Sequence, residues 1–204
     1  MATFDMSDMG PRETYNLITG TIVPRPIALV TSVSREGSIN AAPFSMFNTL
    51  GASPPIVAFS PGLHSAAPLR VKDTRLNVME TREFVVNMVT EEMIEAMTIA
   101  SAVFPEQESE IDLMGVTLVP STKVKCPRIE QSPAHLECKL VKVVEIGRNR
   151  VLFGEIVEMH IRDDLIDLEK MYIRYERINF LGRMPGGSGI YSRTTDLMKM
   201  PRIT

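Results

Sequence analysis

A chain of 204 residues can form one domain that needs neither metal nor disulfide staples, because folding at this length buries roughly 70% of the unfolded surface. Its formal charge of −3, with no block of Lys and Arg, argues against nucleic acid as a partner, and no apolar run is long enough to span a membrane. The N-terminus, MATFDMSDMG, lacks the apolar core of a signal peptide, and the two cysteines, Cys126 and Cys138, are too few for a disulfide framework, so a cytoplasmic protein is expected.

Residues 1–22 read as an arm with a short helix over 12–18. The run 27–33 (IALVTSV) is apolar and β-branched, hence a strand. Ser34, Arg35, Glu36 and Gly37 supply a turn, and 39–44 restart an extended segment, which together predict a hairpin. The polar and aromatic stretch 45–49 (SMFNT) reads as a loop. A third strand, 56–60, follows Pro54 and Pro55, whose rings bar a helix. A loop so dense in hydroxyls, an amide and an aromatic is a ligand platform.

Residues 61–68 read as a loop containing His64 and Ser65. Asp73 or Thr74 caps a helix running to about residue 81, since either side chain can accept from first-turn N–H groups. The segment 83–89 (EFVVNMV) is a strand. Thr90 then caps a helix to about residue 100, with Glu91 and Glu92 at its positive end. The acidic run 104–112 (FPEQESEID) reads as a solvated loop, the alternative being a cation or partner site.

Beyond it lie a short strand over 116–119 and an irregular connection over 120–133. Residues 136–146 (LECKLVKVVEI) alternate apolar and polar with a phase slip near Leu140 and Val141, the mark of a bulge. A turn over 147–150 leads to the return strand 151–161. Residues 163–179 stay open between helix and irregular structure, and 182–193 (GRMPGGSGIYSR) form a glycine-rich tail segment. Cys138 falls within a strand and reads as a buried thiol, and the scattered methionines read as core filling. The whole predicts a mainly β fold with helices, a closed or nearly closed antiparallel barrel in a single domain over 1–204.

Neither a dinucleotide-binding glycine fingerprint nor a phosphate-binding P-loop is present. His64, His135 and His160 stand apart from one another and from the cysteines, so no metal site is expected. The nucleophile elbow G-x-S-x-G is absent, and no spacing favours a catalytic nucleophile.

The ordered set PRPIALVTS, NAAPFSMFN, SPPIVAFS, KDTRLNVMETREFVVN, AHLEC, FGEIVEMHI and LGRMPGGSGIYSR resembles the flavin reductase-like family of FMN-binding split barrels, over about residues 15–193. The resemblance implies a split antiparallel β-barrel that forms a homodimer, with FMN in a cleft at or near the subunit interface. It implies hydride transfer from NADH or NADPH (NAD(P)H) to flavin, supply of reduced flavin to a monooxygenase or another redox protein, and no catalytic acid, base or nucleophile, because the flavin carries the chemistry. The alternative is a flavoredoxin-like FMN electron carrier without appreciable NAD(P)H turnover.

Roles then follow residue by residue. The phosphate calls for a cation and hydroxyl or backbone donors at a helix start, which Lys72 and Thr74 supply just before the Asn77 helix, and the resemblance implies that the whole segment Lys72, Asp73, Thr74 with Asn77 belongs to the FMN site. The plain alternative is a surface lysine and a capping threonine. Ser45, Asn48 and the backbone of Met46, Phe47 and Asn48 suit the ring edge or the polyol, and Phe47 either flanks the ring or belongs to the core. Ser60 stands beside them, while Arg25 faces either the phosphate or an acid. Tyr191 and Arg193 belong to a tail that either reaches the partner subunit's flavin or is a docked terminus.

Overall fold

The computed structural model describes residues 1–62, 72–102, 110–185 and 189–201. Its helices are α1 (Pro11–Thr21), α2 (Asp73–Thr81), α3 (Ile94–Ile99) and α4 (Glu110–Met114). Its first strands are β1 (Arg25–Pro26), β2 (Ala28–Val33), β3 (Ile39–Phe44), β4 (Phe47–Ala52), β5 (Pro55–Phe59) and β6 (Glu83–Met88). The later ones are β7 (Leu118–Val119), β8 (Arg128–Ile129), β9 (Ala134–Ile146), β10 (Asn149–Ile161), β11 (Ile166–Asp167), β12 (Tyr172–Ile173), β13 (Leu181–Arg183) and β14 (Tyr191–Arg193).

Seven strands form one antiparallel sheet in the order β3-β2-β6-β9-β10-β5-β4. Only Ser45 and Met46 separate β3 from β4 in the chain, yet these strands are its two opposite edges. The sheet is therefore open, where strand count alone predicted a closed or nearly closed barrel. The reason is local: β4 turns back onto β5 and β3 pairs with β2, so neither edge bonds the other. The sheet curls nonetheless. Phe44 of β3 and Phe59 of β5 sit with ring centroids 5.1 Å apart, and Phe84 of β6 meets Phe59 edge-on at 5.2 Å.

One core fills the inside of this curl, where Ala28, Val30, Phe44, Val57, Phe84, Leu136 and Leu152 are joined by Val78 of α2. A second lies on the outer face of β2, where Ile27 and Leu29 meet Met93, Met97, Ile111 and Met114 from the segment bearing α3 and α4. Because β2 is covered on both faces, its sequence is a continuous apolar run rather than an alternation. The bulge expected near Leu140 is present: the β9–β10 register shifts between Phe153 and Gly154, leaving Val141 unpaired.

The connection over 120–133 holds more order than its sequence suggests, through β7, β8 and two buried polar side chains. Asn87 donates to the Leu29 carbonyl at 3.0 Å and accepts from the Ile129 N–H at 2.8 Å. Glu137, wholly buried, accepts from the backbone N–H groups of Thr122, Lys123 and Val124 and contacts His160 Nε2 at 2.6 Å.

Other expectations shift at their edges. The first helix starts at Pro11, whose fixed φ suits a first helical position, and runs on to Thr21. The stretch expected as a loop over 45–49 is mostly strand, because Phe47, Asn48 and Thr49 pair with β5. Thr90 makes no side-chain cap: the Glu91 N–H already donates to the Asn179 carbonyl, and Thr90 bridges Phe180. The segment 163–179 resolves into two 3₁₀ turns flanking the β11–β12 ladder. The predicted acidic loop ends in α4, which buries Ile111 and Met114. The rest of that loop over 104–109, His64 and Ser65, and Gly186, Gly187 and Ser188 lie outside the described residues. The tail is a hairpin, β13–β14, docked on β1 with Arg25 opposite Arg183.

Candidate functional site

Two open depressions join along the unpaired edge of β3, and a third adjoins them at Ser45 beside β4 and β5. The first is lined by Asn40, Ala42, Pro43, Lys72, Thr74, Ser101 and Glu110. The second shares Pro43 and Ser101 with it and adds Ile27, Phe44, Ser45, Met97, Arg183 and Tyr191. The third shares Ser45 and continues past Arg25, Met46, Phe47, Asn48, Leu50 and Ser60. Together they form one trough, whose middle lies between β3 on one side and Met97 with the tail hairpin on the other, and whose far end is walled by β4 and β5.

At the first end, Lys72 occupies the N-cap of α2 and makes no side-chain cap. The Thr74 hydroxyl, almost wholly buried, accepts from Asn40 Nδ2 at 2.8 Å. Its own proton has no acceptor among the described residues and so remains for an oxygen entering the trough. The Lys72 ammonium stands 4.9 Å from the centre of the Phe44 ring. Burial lowers its pKa, against the pull of Glu110. Asp73 lies at the first helical position with its side chain exposed. Asn77, by contrast, points inward and donates to Ser32 Oγ at 3.2 Å, which ties α2 to β2.

In the middle and at the far end, Ser45 is the hinge between β3 and β4. Its oxygen receives a long contact of 3.5 Å from Arg25 Nε, which leaves the hydroxyl proton for a ligand. Arg25 pairs with backbone carbonyls rather than with an acid. Only 6% exposed, it donates to the carbonyls of Thr19 at 2.7 Å, Ile22 at 2.9 Å and Met184 at 3.1 Å. It therefore binds the end of α1 and the tail to the rim of the trough. Burial lowers its pKa, and Arg183 adds to that against the influence of Tyr15.

Ser60 donates its hydroxyl to the Arg150 carbonyl at 2.9 Å, and its N–H bonds the Met46 carbonyl, fixing the β4–β5 end of the trough. Asn48 is exposed, with Oδ1 engaged by the Thr49 N–H at 2.8 Å and its amide NH₂ open. Phe47 packs partly against the inner core while touching the trough. Tyr191 lies in the trough beneath the Arg183 guanidinium, whereas Arg193 is drawn off into an ion pair with Glu91.

The trough thus unites Lys72, Asp73, Thr74, Ser45, Met46, Phe47, Asn48, Ser60, Arg25 and Tyr191 and leaves Asn77 and Arg193 to structural tasks. Sequence reasoning missed Asn40, Met97, Ser101 and Arg183. Asn40 opens the quoted NAAPFS stretch and was within reach of it. Arg183 lies in the LGRMPGGSGIYSR tail and was within reach too, whereas Met97 and Ser101 come from segments with no motif of their own. Away from the trough, His135 is buried against the Ile129 carbonyl, and both cysteines are buried thiols, Cys126 pushed up to about 12 by burial and Cys138 further still. Among the described residues no three His, Cys, Asp or Glu side chains converge as a metal site, and no helix is long and apolar enough to cross a membrane.

Comparison with known proteins gives a consistent picture. The family model described as the flavin reductase like domain matches residues 20–178. The structure of a 2-nitrobenzoate 2-nitroreductase from Pseudomonas fluorescens is 40% identical, covers 100% of this chain and 97% of that one, and superposes with a TM-score of 0.88. Nitrilotriacetate monooxygenase component B from Bacillus cereus is 30% identical over 98% of each chain, with a TM-score of 0.90. A Shewanella frigidimarina protein described as having a split barrel domain covers 100% of both chains at 20% identity with a TM-score of 0.81, a likeness of fold.

Proposed function

Because this chain belongs to the flavin reductase-like family, we propose that it binds FMN as a homodimer and passes a hydride from NADH or NADPH to flavin. The observation that carries this reading is the trough along β3. It offers a cation and a free hydroxyl proton at one end and further hydrogen-bonding groups at the other, which suits a phosphorylated chain ending in a flat, polar-edged ring. In this reading Lys72, Thr74 and the opening turn of α2, which includes Asp73, hold the phosphate, because a helix start presents N–H groups and favours negative charge.

Ser45, the amide of Asn48 and the backbone of 46–48 take the ring edge, with Phe47 at its margin. Arg25 and Ser60 act at one remove by fixing the walls, and Tyr191 closes the tail side. When bound, the flavin supplies the hydride chemistry, so the chain's own groups have to orient it and keep one face accessible. Ile22, Met46 and Leu50 leave an apolar strip exposed along the rim, which supports a second subunit there. The likeness to nitrilotriacetate monooxygenase component B supports a separate monooxygenase as the consumer of reduced flavin. The likeness to the nitroreductase supports a second reading, in which the electrons go to a nitroaromatic acid instead.

The test is an absorption spectrum of the purified protein with FMN, followed by anaerobic addition of NADH and then of NADPH. Flavin binding and rapid bleaching are expected with one of the two. Failure to bind FMN sinks the reading, and bound FMN that neither nucleotide reduces makes the protein an electron carrier instead.

A further inference from the structure

We propose that Arg183, laid across Tyr191, is the seat for the carboxylate of a planar aromatic ligand in the middle of the trough. The guanidinium lies 4.7 Å from the centre of the Tyr191 ring, a stack that holds its plane while its N–H groups remain available. Among the described residues no carboxylate pairs with it. Glu91 is engaged by Arg193, two residues beyond Tyr191 on β14.

A second cation stands behind. Arg25 is the cross-strand neighbour of Arg183 in the β1–β13 pair, and its donors go to backbone carbonyls rather than to an acid. The two arginines line adjoining depressions of the trough, and Arg183 lowers the pKa of Arg25, so an anion at Arg183 relieves a like-charge repulsion. The remaining walls select its body. Ile27, Phe44 and Met97 are apolar, which suits an aromatic ring bearing one carboxylate better than a free phosphate or a polyol.

This inference rests on the reading above and adds to it that flavin lies against β3, with the facing wall of Met97, Arg183 and Tyr191 left to a second ligand. The test is calorimetric titration of the FMN-loaded protein with benzoate and with its neutral analogue benzamide. Wild type is expected to prefer benzoate by about tenfold to a hundredfold, as a charge-assisted hydrogen bond requires. Arg183→Met is expected to abolish that preference, and Arg183→Lys to restore part of it, with melting temperature and FMN affinity little changed.

Equal affinity of wild type for the two ligands overturns the proposal. So does an Arg183→Met protein that still prefers benzoate, or one that loses FMN and benzoate by the same factor. If wild type binds no FMN at all, the flavin reading fails by itself. The same titration of the flavin-free protein then decides Arg183 separately, with the same preference and the same loss in Arg183→Met supporting it.

Discussion

The ammonium of Lys72 stands 4.9 Å above the Phe44 ring and joins the opening of α2 to the edge of the curled sheet. One face of this aromatic belongs to the inner core, and the other supports the cation that the trough presents. Lys72→Ala is expected to weaken FMN binding by about 1.5–3 kcal/mol through loss of a charge-assisted hydrogen bond. Fluorescence titration checks it. Unchanged affinity removes Lys72 from the site.

Arg25 links α1, the tail and Ser45 through bonds to three buried or half-buried carbonyls. Arg25→Met keeps most of the volume and removes the donors, so it should destabilise the fold by roughly 2–4 kcal/mol, the cost of leaving several acceptors unmatched. Urea unfolding measures this. Faster proteolysis near residues 184–201 should accompany it, since the arginine ties Met184 down.

Glu137 governs the acid limit. Burial, the largest single influence, opposes its ionisation, but the N–H groups of Thr122 and Lys123 together with His160 prevail and bring its pKa to about 2 from an ordinary 4.5. A depressed carboxylate stabilises the fold fully above its unfolded value. That contribution is lost as pH falls from about 4.5 toward about 2. Glu137→Gln should therefore lower stability at neutral pH by about 2–4 kcal/mol and flatten its decline over that acid window, read from thermal melts at a series of pH values.

Gly154 lets the Phe84 ring cross β10. A Cβ added there meets that ring and comes within 3.2 Å of the Cys138 Cβ. Gly154→Ala should destabilise by about 1–3 kcal/mol through overpacking, and the double substitution with Phe84→Leu should recover part of the loss. A stability equal to wild type in the single variant contradicts this packing.

The strands were readable because local chemistry dictates them. β2 is a β-branched run, and the β9–β10 hairpin turns at Gly147, whose φ of +58° a glycine adopts without strain. The bulge beside Leu140 shows in the sequence because a pleated strand has period two and one extra residue reverses its phase. The segment 45–49 misled for the same reason in reverse. Its polar residues look like loop, yet they form an edge strand whose outward positions are solvated.

The sequence by itself determined the family, the strands β2, β3, β5, β6, β9 and β10 and the stretches that supply Lys72, Ser45 and Asn48, since motifs and periodicity are properties of neighbours in the chain. Only the tertiary structure decided that the sheet stays open, that Arg25 serves carbonyls rather than an acid, and that Arg183 enters the trough without a counter-charge. Those outcomes depend on which groups, distant in sequence, compete for the same donor or edge, and that competition exists only once the sheet has curled.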